Sequence, residues 1–116
     1  MSGNGSGAAK CCDFCPTGRP AYNYPARDFV ARMALVDPAT GHTVSESFHS
    51  KGAWSACLEC AELIEADDCD GLSARRNALA GPHPELGELE QRILREIVAE
   101  AHRAFFAART GERVRV

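Results

Sequence analysis

Two Cys-x-x-Cys pairs, Cys12-Asp-Phe-Cys15 and Cys57-Leu-Glu-Cys60, constrain this chain more than any other feature. Four soft thiolates in two pairs with a long insert between them are what a tetrahedral zinc site requires, so any fold must bring residues 12–15 back against 57–60. Buried thiols or disulfides are the plain alternative. Residues 1–10 are rich in Gly, Ser, Asn and Ala, with one charge and no apolar run. They read as a flexible tail, neither a signal peptide nor a membrane span. Without a secretory signal, six cysteines point to metal ligation in a reducing cytoplasm rather than to a disulfide framework. The expected cofactor is Zn2+ in a structural role, held by Cys12, Cys15, Cys57 and Cys60. Iron or a two-iron cluster on the same thiolates is the lesser alternative. Four sulfurs close the coordination sphere and leave no position for an activated water, so no enzyme is expected.

The insert has a readable order. Pro16, Gly18 and Pro20 mark a tight knuckle after the first pair. Residues 20–25, Pro-Ala-Tyr-Asn-Tyr-Pro, favour extended or polyproline backbone. Residues 28–37 are apolar enough for a strand, 38–41 (Pro-Ala-Thr-Gly) form a turn, and 42–49 alternate imperfectly, which predicts a partly exposed hairpin arm. A helix over 26–35 is the competing reading. From Ser55, a candidate cap, Cys57, Cys60, Ala61 and Ile64 recur at helical spacing, and Gly71 is a candidate left-handed stop. A thiolate in the first turn of that helix would be favoured by its free amides.

Beyond it, residues 72–80 can form a short helix closed by Gly81-Pro82-His83-Pro84, with Pro84 suited to a first helical position. Residues 85–109 carry Leu86, Leu89, Ile93, Ile97, Ala101 and Phe105 on one stripe. Such a helix would be about 35 to 40 Å long, more than a small zinc module can cover. Leu89, Ile93, Ile97 and Phe105 are therefore the candidate contacts for a protein partner or a second copy of the chain, and no membrane partner is expected.

The formal net charge of -3 conceals two unlike halves. Residues 1–70 hold five Lys/Arg against ten Asp/Glu, whereas 71–116 hold eight Arg against six Glu. Zinc on four thiolates would make the first half more acidic still. Nucleic acid is the alternative partner, favoured by Arg75, Arg76, Arg92, Arg95 and Arg103 and opposed by the acidic run from Glu59 to Asp70. Cys11 and Cys69 read as spectators, the latter a poor nucleophile among Asp67, Asp68 and Asp70. The four histidines stand singly, with His49 a reserve ligand. Trp54, three residues before Cys57, is placed to cover the sulfurs and exclude water.

The order knuckle, hairpin, then Cys-x-x-Cys entering a helix resembles the treble-clef zinc-finger arrangement. More narrowly, Cys12-Asp-Phe-Cys15, Tyr24-Pro-Ala-Arg-Asp-Phe29 and Trp54-Ser-Ala-Cys57-Leu-Glu-Cys60 resemble a group of small actinobacterial proteins with Cys-x-x-Cys and Trp-x-x-Cys-x-x-Cys motifs, over roughly residues 11–76. The resemblance implies the zinc site and the fold and carries over no activity. The expected class is α+β: a tail at 1–10, a treble-clef-like zinc module at 11–80, and a helical extension at 81–116. The expected role is an interaction or adaptor module, with a nucleic-acid-binding regulator as the alternative.

Overall fold

The computed structural model describes residues 11–116, and the tail read from residues 1–10 lies outside them. The proline-bounded aromatic segment is extended and forms strand β1 (Tyr22–Tyr24). Strands β2 (Phe29–Val36) and β3 (Thr43–Ser50) are the arms of the expected hairpin, paired antiparallel from Phe29↔Ser50 to Val36↔Thr43. Asp37 shapes the turn between them. Its carboxylate accepts hydrogen bonds from the Ala39 amide at 2.9 Å and the Thr40 hydroxyl at 3.2 Å, and Gly41 takes the left-handed φ of 77° that closes the loop. Alternation then sorts β2 by face: Ala31 and Met33 are buried, while Val30, Arg32, Ala34 and Val36 are exposed.

The expected helix start at Ser55 is instead a strand, β4 (Trp54–Ala56), all three residues buried and paired antiparallel with β1. The edge of β1 supplies backbone partners that a helical turn would have left unused. The Ser55 hydroxyl accordingly donates across the sheet to Asn23 Oδ1 at 2.8 Å rather than capping a helix. Helix α1 (Leu58–Glu65) begins with Cys57 as its cap and ends at Ala66. Helix α2 (Cys69–Ala80) follows almost at once, so Gly71 is not a stop. The left-handed position falls on Asp67 (φ 58°), and Gly71 lies in the first turn of α2, where its amide donates to the capping Asp68 carboxylate at 2.9 Å. A Cβ there would meet that carboxylate at 2.3 Å.

Helix α3 (Glu88–Ala108) starts behind Gly87 rather than at Pro84, because residues 84–86 turn first, with the Leu86 amide on the His83 carbonyl at 2.9 Å. Its 21 residues span about 31 Å, shorter than the pattern predicts. The final residues, expected as part of a helical extension over 81–116, form strand β5 (Val114–Arg115) on the other edge of β1, giving the sheet order β4-β1-β5. Among the described residues the architecture is α+β, with two small antiparallel sheets and three helices. Among the described residues no helix is long and apolar enough to cross a membrane.

Helix α3 packs across the β2–β3 hairpin and against α2. Phe105, fully buried, reaches Phe14 (ring centroids 4.8 Å), Trp54 (5.3 Å) and Tyr24 (6.1 Å), so one side chain joins the helix to the knuckle, β4 and β1. Tyr24, also fully buried, donates its hydroxyl to Glu65 Oε2 at 2.8 Å; burial, then the carboxylate, pushes its ionisation up to about 12.

One turn before Phe105, His102 is 2 % exposed, within 5.5 Å of the Phe14 ring, with Nδ1 2.8 Å from Ser73 Oγ. Burial, with Arg76 nearby, holds its imidazole down to about 4 instead of 6.5. Above the ordinary value the ring is neutral in both folded and unfolded chains. Below it the unfolded chain takes a proton that the folded one refuses, so stability falls as pH drops from about 6.5 toward 4, by up to about 3 kcal/mol. Urea denaturation of the metal-loaded protein across that window is expected to show His102→Gln losing less stability than wild type. Parallel pH profiles would rule this account out.

Candidate metal centre

The first cysteine pair is held by a knuckle that closes on itself. The Cys12 amide donates to the Gly18 carbonyl at 2.8 Å, and the Phe14 amide points at Cys12 Sγ, 3.3 Å away. The second pair is held by the start of α1: Cys57 Sγ takes the capping position and accepts from the Cys60 amide at 3.5 Å. Asp13, between Cys12 and Cys15, registers the halves. Its amide donates to the Ser55 carbonyl at 2.8 Å, and its carboxylate accepts from the Ser55 amide at 2.6 Å. A two-point clasp therefore ties the knuckle to β4 two residues before Cys57.

These elements bring Cys12, Cys15, Cys57 and Cys60 together, all buried, with their sulfurs within 4.8 Å of one another. Cys15 Sγ and Cys57 Sγ are 3.8 Å apart. Metal–sulfur bonds of ~2.3 Å at tetrahedral angles separate sulfurs by about 3.8 Å, so the spacing is that of four ligands around one ion. The cluster can hold a metal ion. Gly18 is part of the same cradle, since a Cβ on it would lie 2.5 Å from Cys57 Cβ and 2.6 Å from its Sγ. The glycine is required by close approach to sulfur, not by backbone conformation.

The electrostatics fit a cation. The hydrogen bond from Cys60 draws the Cys12 thiol down to about 5 and pushes Cys60 up, while burial pushes Cys57 up. One thiolate forms readily and opposes the next; a dication among them removes that opposition. A second positive charge comes from α2. Arg75 Nη2 lies 3.9 Å from Cys57 Sγ and 4.0 Å from Cys15 Sγ, and 3.8 Å from Glu59 Oε1. The sulfurs, Cys60 foremost, hold its guanidinium firmly charged. Sequence reasoning grouped Arg75 with the basic residues of the second half and missed this contact. No local pattern marks it, because the approach depends on how α2 packs against α1.

Trp54 lies in an aromatic cluster, 4.9 Å from Phe14, 5.8 Å from Phe29, 5.9 Å from Phe48 and 5.3 Å from Phe105, with Nε1 donating to Ser50 Oγ at 2.6 Å. Phe14, within the first cysteine pair, links that cluster to the ligands. Cys11 is exposed and Cys69 half-buried, both outside the sulfur cluster, as is His49. The Cys69 thiol is pushed up, first by burial and then by its aspartate neighbours. Of the candidate partner contacts, Leu89, Ile93 and Ile97 are half-buried on α3, and Phe105 is enclosed in the protein's own core.

No protein-family model, curated protein or solved structure matches this chain.

Gly18→Ala is expected to weaken cobalt(II) binding, followed by thiolate-to-metal absorption in a chelator competition, at least about tenfold, and Arg75→Gln by up to about tenfold. Wild-type affinity in Gly18→Ala would mean the knuckle does not pack on the sulfurs as described.

Proposed function

We propose that this protein is a zinc-clasped interaction module without catalytic activity, working in a reducing compartment such as the cytoplasm, where its thiols stay free for metal. The observation that carries the reading is the closed set of four buried sulfurs. A four-thiolate zinc has no open position for water or substrate, so its contribution is to folding. The first pair on a knuckle and the second at a helix start follow the treble-clef-like order, which supports zinc over a cluster of irons.

The surface offered to a partner is the N-terminal half of α3, where Leu89 and Ile93 keep part of their area exposed, with the outward face of the hairpin, where Val30 and Val36 are exposed. Phe105 belongs to the anchor of that surface instead, since its ring is consumed by the core. The partner is a second copy or another protein. Nucleic acid is the second reading, favoured by the basic cluster of Arg109, Arg113 and Arg115 beside two tyrosines. Against it, Arg113 lies 4.0 Å over the Tyr22 ring, on the face that a base would stack upon, and Tyr24 is fully buried.

Elemental analysis of freshly purified protein is expected to give one zinc per chain, and stripping it with a chelator to unfold the knuckle with loss of several kcal/mol of stability. A metal-free, fully folded preparation would sink the zinc reading. Light scattering and partner capture with the full chain address the rest: Leu89→Glu with Val30→Glu is expected to weaken association at least about tenfold while zinc content is unchanged. Wild-type protein that stays monomeric and captures no protein, yet binds generic RNA or DNA with steep salt dependence, would favour the second reading.

A further inference from the structure

Away from the sulfurs, a cleft of about 410 Å³ opens where the end of α2, the linker after it and the middle of α3 converge. Its polar lining comes from Arg76, Asn77, His83, Gln91 and Arg95, and Pro82 and Leu94 add an apolar wall. No aspartate or glutamate lines it. Arg75 and Arg103 pair with Glu59 and Glu100, but Arg76 and Arg95 have no ion pair among the described residues. His83 has Nδ1 3.4 Å from Glu85 Oε2, while its Nε2 is shielded from water and has no hydrogen-bond partner among the described residues.

Two guanidinium groups facing one concavity that no carboxylate lines repel each other. The charge of Arg76 is felt as far as His102, on the neighbouring helix. A single anion would satisfy both guanidinium groups. We propose that this cleft binds a small organic phosphate monoester, its oxygens held by Arg76 and Arg95 with help from Asn77, and its organic part against Pro82 and Leu94. Guanidinium forks match phosphate and carboxylate geometry alike. A phosphate monoester, carrying between one and a half and about two negative charges near neutral pH, balances two arginines where a carboxylate balances one. The volume accommodates a phosphate with a ring or short chain attached and is well below what a polymer would need. The site is independent of the metal reading, since none of its residues touches the sulfurs.

The test is an amide-resolved NMR titration of the full-length, metal-loaded chain with inorganic phosphate, phenyl phosphate and benzoate. Saturable shifts are expected at residues 76–83 and 91–95, with phenyl phosphate tighter than inorganic phosphate and at least about tenfold tighter than benzoate. Arg76→Gln with Arg95→Gln should weaken phenyl phosphate at least about thirtyfold. Arg19→Gln with Arg32→Gln removes the same charge outside the cleft and should change binding less than about threefold. No saturable shift by about 10 mM phenyl phosphate, shifts centred elsewhere, benzoate binding as tightly, or equal weakening by the two double variants would each overturn the proposal.

Discussion

Four sulfurs held within 4.8 Å of one another and shut away from water are the constraint on which the rest of this structure depends. As thiols they are small apolar groups that pack without difficulty. As thiolates they repel, and burial magnifies the repulsion. The fold surrounds them with compensation on every side that sequence order allows: amides of the knuckle and of the first turn of α1, and the Arg75 guanidinium from α2. The Asp13–Ser55 clasp adds precision, because it fixes the knuckle to β4 by backbone and side chain together.

The aromatic cluster carries that local order to the rest of the chain. Phe14 belongs to the knuckle, Trp54 to β4, Phe29 to the hairpin and Phe105 to α3, and their rings lie within contact of one another. Rings tilted or edge-on at about 5 Å combine buried area with favourable quadrupole geometry, and they join elements that neither sheet links. Helix α3 is thus part of the domain's core over its C-terminal half, and only its N-terminal half has apolar area to spare.

Much of this was legible in the residues themselves. The ligand spacing, the hairpin with its Pro-to-Gly turn and the amphipathic α3 each follow from a local rule, although α3 begins at Glu88 rather than at Pro84. Where the reading departed from the fold, the cause was a partner distant in sequence or, at Gly71 and at the start of α3, a competing local turn. Trp54-Ser-Ala reads as the approach to a helix until β1 offers it an edge, and Gly71 reads as a stop until Asp67 takes the left-handed turn and Asp68 needs the space above the glycine. Val114 and Arg115 have no strand pattern of their own and pair because β1 has a second free edge. Arg75 and the cleft around Arg76 and Arg95 depend on how helices pack, which no spacing in a single sequence encodes.

The placement of β1 between β4 and β5 has a consequence for how the protein is made. All four sulfurs have emerged from the ribosome once Cys60 is clear, and β4 can already pair with β1, so the metal clasp can close on a nascent chain. Phe105 and β5 follow Cys60 by more than forty residues, and until they arrive one edge of β1 stays open and the aromatic cluster lacks its central ring. Translation therefore yields a chain that is clasped before it is cored, and the open edge of β1 is closed by a strand made much later.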